Sequence, residues 1–555
     1  MALDIVQSVP RPIRFRLSRM SGPIAEFFSA FSGDSHRLPD TLGMSPSAAP
    51  AMSVRTRNNT PEPFDVRSKS VYMIGIGGCG MSGLARVLQA AGANVTGSDR
   101  EPSETTESLA AAGISVGFDQ SKQWLPDACD LVVASAAVKA DHPQMLEAQT
   151  RSIPVLTYAE ALGKAMSTHT GVCVAGTHGK STTTAMLGCC LADCGIEPTV
   201  IVGATSRQLT KGALASTPAD PNVGFRLGAR NIPAGELVGL PGVMVAEACE
   251  YNRSFHNYSP RIACISSVEA DHLDIYANLG EVVQSFATFA SLVPAAAEGG
   301  KLLIAHDNAH RREVTAGLDC MVETIGFNPQ ADWVVGFEAV TRRVTLSHHG
   351  KEIARWTNML HGAHNAVNAA TACVLAIWLG ADPAKAGASL AAFRGIDRRM
   401  QLVGERNHAA GGSTRIYDDY GHHPTEIDVT LRALREAERP QEQGGRLICV
   451  FQPHQHSRTR HLMEEFACAF SAADIVIVPP IYFVRDSQEE RQKVTSSDLV
   501  DRLRAKGVNA MHLHPFEAIV ECLQNTCRAN DLLVVMGAGP VYKIAYDYLN
   551  AGGAR

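Results

Sequence analysis

Short apolar runs alternate with stretches of helical composition through most of this chain, as expected of strands buried on both faces of parallel sheets. Strands are predicted at 71–74, 94–96, 131–134 and 154–156, then at 172–175, 242–247 and 262–266, and finally at 447–451, 475–478 and 532–536. Helices are predicted near 80–91, 181–191, 282–292, 364–379 and 425–438. The fold class is therefore α/β, in three units spanning 67–168, 169–395 and 396–555. A length of 555 residues also exceeds what one hydrophobic core supports.

Two stretches break the pattern. Residues 207–239, rich in Gly, Pro and Ala, interrupt the second unit and read as a surface insertion. Residues 1–66 are rich in Pro, Ser and Arg, with Arg11, Arg14, Arg16 and Arg19 close together and no continuous apolar stretch behind them. That composition reads as a disordered extension, or a misassigned start, rather than a secretory signal.

Charge and composition narrow the function classes. A net charge of -6 leaves no electrostatic footprint for nucleic acid or anionic membrane. No apolar run approaches the ~18 residues of a membrane span. The 14 cysteines lie scattered through expected core segments with no disulfide-scaffold spacing, so a reducing, cytoplasmic setting is expected. His361 and His364 are three apart, but no further ligands complete a zinc site with them.

Candidate chemistry begins where the run 172–175 enters Gly176-Thr177-His178-Gly179-Lys180-Ser181-Thr182-Thr183. Glycines let backbone N–H groups converge on phosphate oxygens at a helix N-terminus. Lys180 would reach the terminal phosphates of ATP, and the Ser181 hydroxyl would ligate Mg2+. The strict phosphate-loop pattern wants a glycine where Val174 stands, so the loop is a shortened variant. An earlier cluster, Gly75-Ile76-Gly77-Gly78-Cys79-Gly80, fits G-x-G-x-x-G, and Asp99 lies 19 residues beyond Gly80. A diphosphate on a helix N-terminus near a ribose satisfies that pattern, whether it belongs to NAD, FAD or a UDP-sugar. Glu247 and Asp271-His272 follow strands of the second unit and should emerge at the sheet's carboxyl edge, beside the phosphate loop. A carboxylate there suits Mg2+, whereas an imidazole is an unusual Mg2+ ligand.

These segments, taken with EACEY at 247–251, EADH at 269–272, HGAHNAVNA at 361–369 and DDYGHHPTE at 418–426, resemble the Mur ligases of peptidoglycan synthesis. The resemblance covers about residues 68 to 550. It implies a Rossmann-like UDP-sugar domain, a central ATPase domain and a Rossmann-like C-terminal domain receiving the amino acid. The implied reaction is ATP-dependent ligation of L-alanine to UDP-N-acetylmuramate by a monomer or weak homodimer. By the same resemblance, Lys180, Glu247 and His272 are catalytic, and Ser181, Glu247 and His272 surround Mg2+. ATP would meet Gly176, Thr177, His178, Gly179, Lys180, Ser181, Thr182, Asn365, Asn368, Asp419 and Tyr420, with either Arg398 or Arg399. The UDP-sugar would meet Gly75, Gly77, Gly78, Gly80, Met81, Asp99 and Ser135. His422, His454 and Arg458 would receive the amino acid.

Departures from the family pattern accompany the match. Gln455 and His456 stand where many relatives carry Arg and Tyr, and no lysine occurs between Glu247 and Lys301. Rival readings are a recycling ligase that adds a murein tripeptide to the same sugar, a non-catalytic nucleotide sensor, and an oxidoreductase fused to a phosphate-loop module. Tyr420-Gly421 favours the single-alanine branch over the tripeptide enzyme. Retention of Lys180, Glu247 and His272 speaks against a sensor.

Overall fold

The computed structural model describes residues 64–215, 223–409 and 411–551, so nearly all of the extension expected at 1–66 lies outside the described residues. Three sheets follow one another along the chain. The first has five parallel strands in the order Ser115–Gly117, Asn94–Ser98, Ser70–Ile74, Leu131–Ala134, Val155–Thr157. The third has six strands: Gln401–Asn407 runs antiparallel to Ser413–Asp419, and Leu532–Met536, Leu447–Phe451, Ile475–Val478 and Ala510–His512 continue in parallel.

The central sheet is larger, with ten strands. Its parallel core sets Thr170–Ala175 between Val243–Ala248 and Ile262–Ile265, with Thr199–Ser206 beyond the former and Lys301–Ala305 and Met321–Gly326 beyond the latter. Both faces of these strands are buried, with alternate residues going to different cores. Val172 and Val174 pack with the helix Ala363–Trp378, whereas Cys173 and Ala175 join a core shared with the first sheet. The third sheet divides likewise, with Leu532, Val534 and Met536 on one side and Leu533 and Val535 on the other.

The insertion expected at 207–239 is corrected in part. Val223–Arg226 is a strand, antiparallel to Thr199–Ser206, and it forms an edge of the central sheet. It also packs on the first unit: a Cβ added at Gly83, on the helix Cys79–Ala90, would lie 2.9 Å from the Phe225 Cβ. The segment thus buries part of the joint between the two sheets. At the opposite edge, Trp333–Glu338, Arg343–His348 and Lys351–Thr357 form a meander not anticipated from the sequence.

Candidate active site

The phosphate loop leaves the carboxyl end of Thr170–Ala175 and enters the helix Lys180–Asp193 at Lys180 itself. Gly176 (φ 130) and Gly179 (φ 80) occupy backbone regions that L side chains rarely adopt. At Gly179 an added Cβ would come 2.5 Å from the Asn368 Oδ1, so the loop is seated directly on the helix Ala363–Trp378. A cleft of about 320 Å³ opens over this loop. Its lining includes residues 177–182, Glu247, Asn365, Asn368, Arg399, Asp419 and Glu426. The second and third sequence units therefore contribute to it.

Lys180 is half-buried, and its ammonium is engaged on three sides. It donates to the carbonyls of Gly176 (2.6 Å) and Thr177 (3.0 Å) and pairs with the Glu250 carboxylate at 2.9 Å. Burial works against its charge, but Glu250 outweighs burial and raises its pKa. Glu250 is itself pushed upward by burial, with Lys180 pulling the other way. Glu247 shares the cleft with Lys180, but its Oε2 accepts from Gly203 N at 2.8 Å. The acid against Lys180 is thus Glu250, three residues later, where the expectation centred on Glu247. His272 and Asp271 complete the group: His272 Nε2 lies 3.9 Å from Glu250 and 3.7 Å from Asp271. Ligand atoms of Glu250, Asp271 and His272 all fall within 4.8 Å of one another.

That donor set fits a divalent cation. Burial, with Arg458 and Lys180 nearby, lowers His272 to about 4 against the pull of Asp271, so its imidazole is neutral at neutral pH and one ring nitrogen keeps a lone pair. His272 Nδ1 faces Arg458 at 3.4 Å, which leaves Nε2 turned toward the carboxylates. The backbone at His272 is left-handed (φ 54), a strained setting for a non-glycine residue that aims the ring at the loop.

A second cluster ties the phosphate loop to the third unit. The helix Pro424–Glu438 begins with a capping box, in which His423 caps the helix and Glu426 reaches back to its first N–H groups. This local geometry points Glu426 at His178, whose two ring nitrogens lie 3.4 Å from Glu426 and 3.4 Å from Glu269. Burial opposes a charge on His178, but the two carboxylates outweigh it and raise its pKa to about 9. Thr425 Oγ1 donates to Glu269 at 2.7 Å, and His423 Nε2 meets the Ala270 carbonyl at 3.3 Å.

The remaining sequence candidates separate by what they touch. Arg399 lines the cleft and pairs with Glu426 at 3.2 Å. Arg398 instead bonds Asp418 (3.2 Å) and the Gly537 carbonyl (2.8 Å) and lies between the rings of Tyr420 and Tyr542, so it braces the joint. Tyr420 is exposed and stacks on both arginines. Asp419 lies in the cleft, but its two oxygens accept from Met400 N (2.7 Å) and Gly421 N (2.6 Å). Asn365 Nδ2 donates to the His361 carbonyl at 2.8 Å and Asn368 Nδ2 to Asn365 at 3.3 Å, which orders both amides at the cleft wall.

In the first unit, Asp99 Oδ2 accepts from Gly77 N at 2.7 Å, so the carboxylate closes the glycine loop on itself. Ser135 stands against Gly75, and the Met81 side chain is buried in the core. Gly78 and Gly80 frame the start of the helix Cys79–Ala90. At the amino-acid end, His422 (to about 4) and His454 (to about 3) are lowered chiefly by burial. Arg458 is buried beside them, with Nε and Nη2 both on Asp271 Oδ1 (3.1 and 2.9 Å).

Residues 70–170 match the family description "Mur ligase family, catalytic domain", residues 174–376 "Mur ligase middle domain" and residues 398–539 "Mur ligase, glutamate ligase domain". The chain is 36% identical over 484 residues to the UDP-N-acetylmuramate–L-alanine ligase of Agathobacter rectalis, covering 86% of this chain and 97% of that protein. Among solved structures it resembles the UDP-N-acetylmuramate-alanine ligase of Thermotoga maritima, with TM-score 0.67 and 23% identity over 87% of this chain and 98% of that one. A murein peptide ligase from Psychrobacter arcticus aligns with TM-score 0.64 and 24% identity over 88% and 99% of the two chains. At those identities the two structures share the fold.

Proposed function

The chain belongs to the Mur ligase family, and we propose that it joins L-alanine to the lactyl carboxylate of UDP-N-acetylmuramate, with ATP supplying the energy through an acyl phosphate. The reading is supported by the named activity of relatives that match nearly end to end. The observation that carries it is the convergence of Lys180, Glu250 and His272 beside a nucleotide-sized cleft.

The sugar carboxylate attacks the γ-phosphate of ATP, giving an acyl phosphate and ADP. The amine of L-alanine then attacks the acyl carbon, and inorganic phosphate leaves. Two anions must meet in the first step, so positive charge has to be concentrated at the transferring group. Lys180 and the N–H groups at the head of its helix supply part of it. A Mg2+ ion would be held by Glu250 and His272, with Ser181 on the loop side, and would neutralise phosphoryl oxygens. Arg399, ordered by Glu426, extends the positive wall along the nucleotide. Glu269, Thr425, His178 and Glu426 hold the third unit against the loop, which keeps water from an easily hydrolysed intermediate.

All fourteen cysteines are unpaired thiols, which supports a cytoplasmic setting. Among the described residues, no helix is long and apolar enough to cross a membrane. The test is phosphate release with ATP, Mg2+ and UDP-N-acetylmuramate, adding L-alanine or the murein tripeptide singly. Release with L-alanine, and its loss in Lys180→Ala by at least ~100-fold, is the expected result. Release with the tripeptide alone would transfer the assignment to the recycling enzyme.

A further inference from the structure

The chain crosses from the second unit to the third between residues 392 and 401, and two sets of contacts divide that crossing. On the near side the backbone is clipped to the end of the strand Thr199–Ser206 and the residues just after it. Gln208 Nε2 donates to the Ala392 carbonyl (3.0 Å), and Gln208 Oε1 accepts from Arg394 N (2.7 Å). Ser206 Oγ donates to the Gly395 carbonyl at 3.1 Å, and Asp397 N donates to the Thr205 carbonyl at 2.9 Å. Phe393 and Ile396 are buried in the core of the second unit. On the far side, Tyr420 N donates to the Arg398 carbonyl (2.6 Å) and Met400 N to Asp419 (2.7 Å), while the Met400 side chain packs on the core of the third unit.

The boundary between the two units therefore falls on the step from Asp397 to Arg398. Two side chains span it. The Asp397 carboxylate accepts from Thr205 Oγ1 with one oxygen and from Gln401 Nε2 (3.4 Å) with the other, and Gln401 Oε1 accepts from Arg398 N at 2.7 Å. Arg398 and Met400 sit at φ 57 and φ 47, so the backbone turns tightly on either side of Arg399. The strand that anchors the step is itself braced: its Val202 carbonyl accepts from Cys79 Sγ (3.3 Å), and its Gly203 N donates to Glu247 (2.8 Å). Ile396, Arg399 and Met400 line the nucleotide cleft, which puts the step in the cleft wall.

We propose that Asp397, anchored by Thr205, is a positioning residue for Arg399: it fixes the step on which the third unit is carried, and with it the place of that cation in the cleft. The assignment rests on the ligase reading above for the identity of the nucleotide. Arg399 pairs with Glu426 at 3.2 Å, and both belong to the third unit. With the step loosened they would drift together, away from the phosphate loop. A hydrogen bond to a carboxylate of this kind is worth roughly 10-fold or more in an equilibrium constant.

The experiment titrates a non-hydrolysable ATP analogue with Mg2+ into the unaltered chain and its variants by calorimetry, with UDP-N-acetylmuramate titrated separately. Thr205→Val keeps the shape of the side chain and removes the hydroxyl; it should weaken the analogue about 10-fold and leave the UDP-sugar within about twofold. Thr205→Ser, which keeps the hydroxyl, should restore most of the affinity, and Asp397→Asn should weaken the analogue in the same direction as Thr205→Val. Arg399→Ala should also weaken it, and adding Thr205→Val to that variant should cost less than about twofold more, because both changes act through one contact. An analogue affinity unchanged in Thr205→Val, an equal loss for both ligands, or full multiplication of the two losses in the double variant overturns the assignment. An unaltered chain that binds the analogue but releases no phosphate with ATP, UDP-N-acetylmuramate and L-alanine overturns the ligase reading instead.

Discussion

His178 offers a measurable link between proton binding and docking of the third unit. Docked, its imidazole lies between Glu269 and Glu426 at 3.4 Å each, with the His423 ring centred 4.7 Å away and Arg399 paired to Glu426. Its pKa there is about 9, against an ordinary 6.5 when the carboxylates are withdrawn. The docked form therefore binds more protons. The stabilisation is complete below about pH 6.5 and is lost as pH rises through about 9. At 1.36 kcal/mol per unit, the shift sets a ceiling of ~3 kcal/mol. Glu269 is 38% exposed and screened, so ~1–2 kcal/mol is the realistic size. Thermal unfolding of the unaltered chain and of His178→Gln should be followed at pH 6.5, 7.5, 8.5 and 9.5, at low and high salt. The unaltered chain should lose about 1–2 °C more than the variant across this range, and less so at high salt. Parallel decline of the two midpoints would refute the imidazolium bridge.

Glu250→Gln should raise the Mg2+ concentration needed for half-maximal turnover by at least ~10-fold, and Glu247→Gln should raise it less; equal shifts in Mg2+ titrations would contradict the placement of Glu250. Gly179→Ala should weaken ATP binding and cost at least ~1–2 kcal/mol of stability, because the added methyl meets Asn368 in a left-handed backbone; unchanged ATP affinity and midpoint would contradict it. Asp271→Asn leaves Arg458 buried without its counterion, at a cost of ~3–5 kcal/mol. Faster proteolysis within 393–401, the segment entering the third sheet, is the expected signature. Because Asp271 is held well below the usual carboxylate range by Arg458, against burial, its contribution is present above about pH 4 and fades as pH falls further.

Much of the scaffold was legible because buried parallel strands write themselves as apolar runs. The strands 131–134, 447–451, 475–478 and 532–536 fall where those runs predicted. The meander Trp333–Thr357 was not, because its strands alternate exposed and buried residues and resemble loop sequence one position at a time. Val223–Arg226 escaped for another reason: four residues flanked by Gly and Pro carry too short a signal. At the site, the loop from Gly176 to Thr182 was readable from glycine spacing and chemistry. The choice between Glu247 and Glu250 was not, because the chain turns sharply after the strand through left-handed Asn252 and Arg253. Arg398 and Arg399 were equally inseparable, since adjacent residues diverge only once φ 57 at Arg398 is known.

The cleft's carboxylates explain why more lysines would not serve this chemistry. Glu247, Glu269, Asp419 and Glu426 line it, against two permanent cations, Lys180 and Arg399. Each acid is already committed to geometry. Glu426 orders Arg399 and His178, Glu269 meets His178 and Thr425, and Asp419 fixes the backbone at Met400 and Gly421. Replacing them with cations would favour a bare triphosphate, but it would also dissolve the contacts that bring the third unit over the loop. Lys180 shows the same compromise from the other side, since its ammonium is held by Glu250 and two carbonyls and cannot alone neutralise a triphosphate and a sugar carboxylate. A compact divalent charge, which Glu250 and His272 would hold, would resolve both demands by supplying positive charge at the transferring phosphoryl without replacing any carboxylate of the cleft.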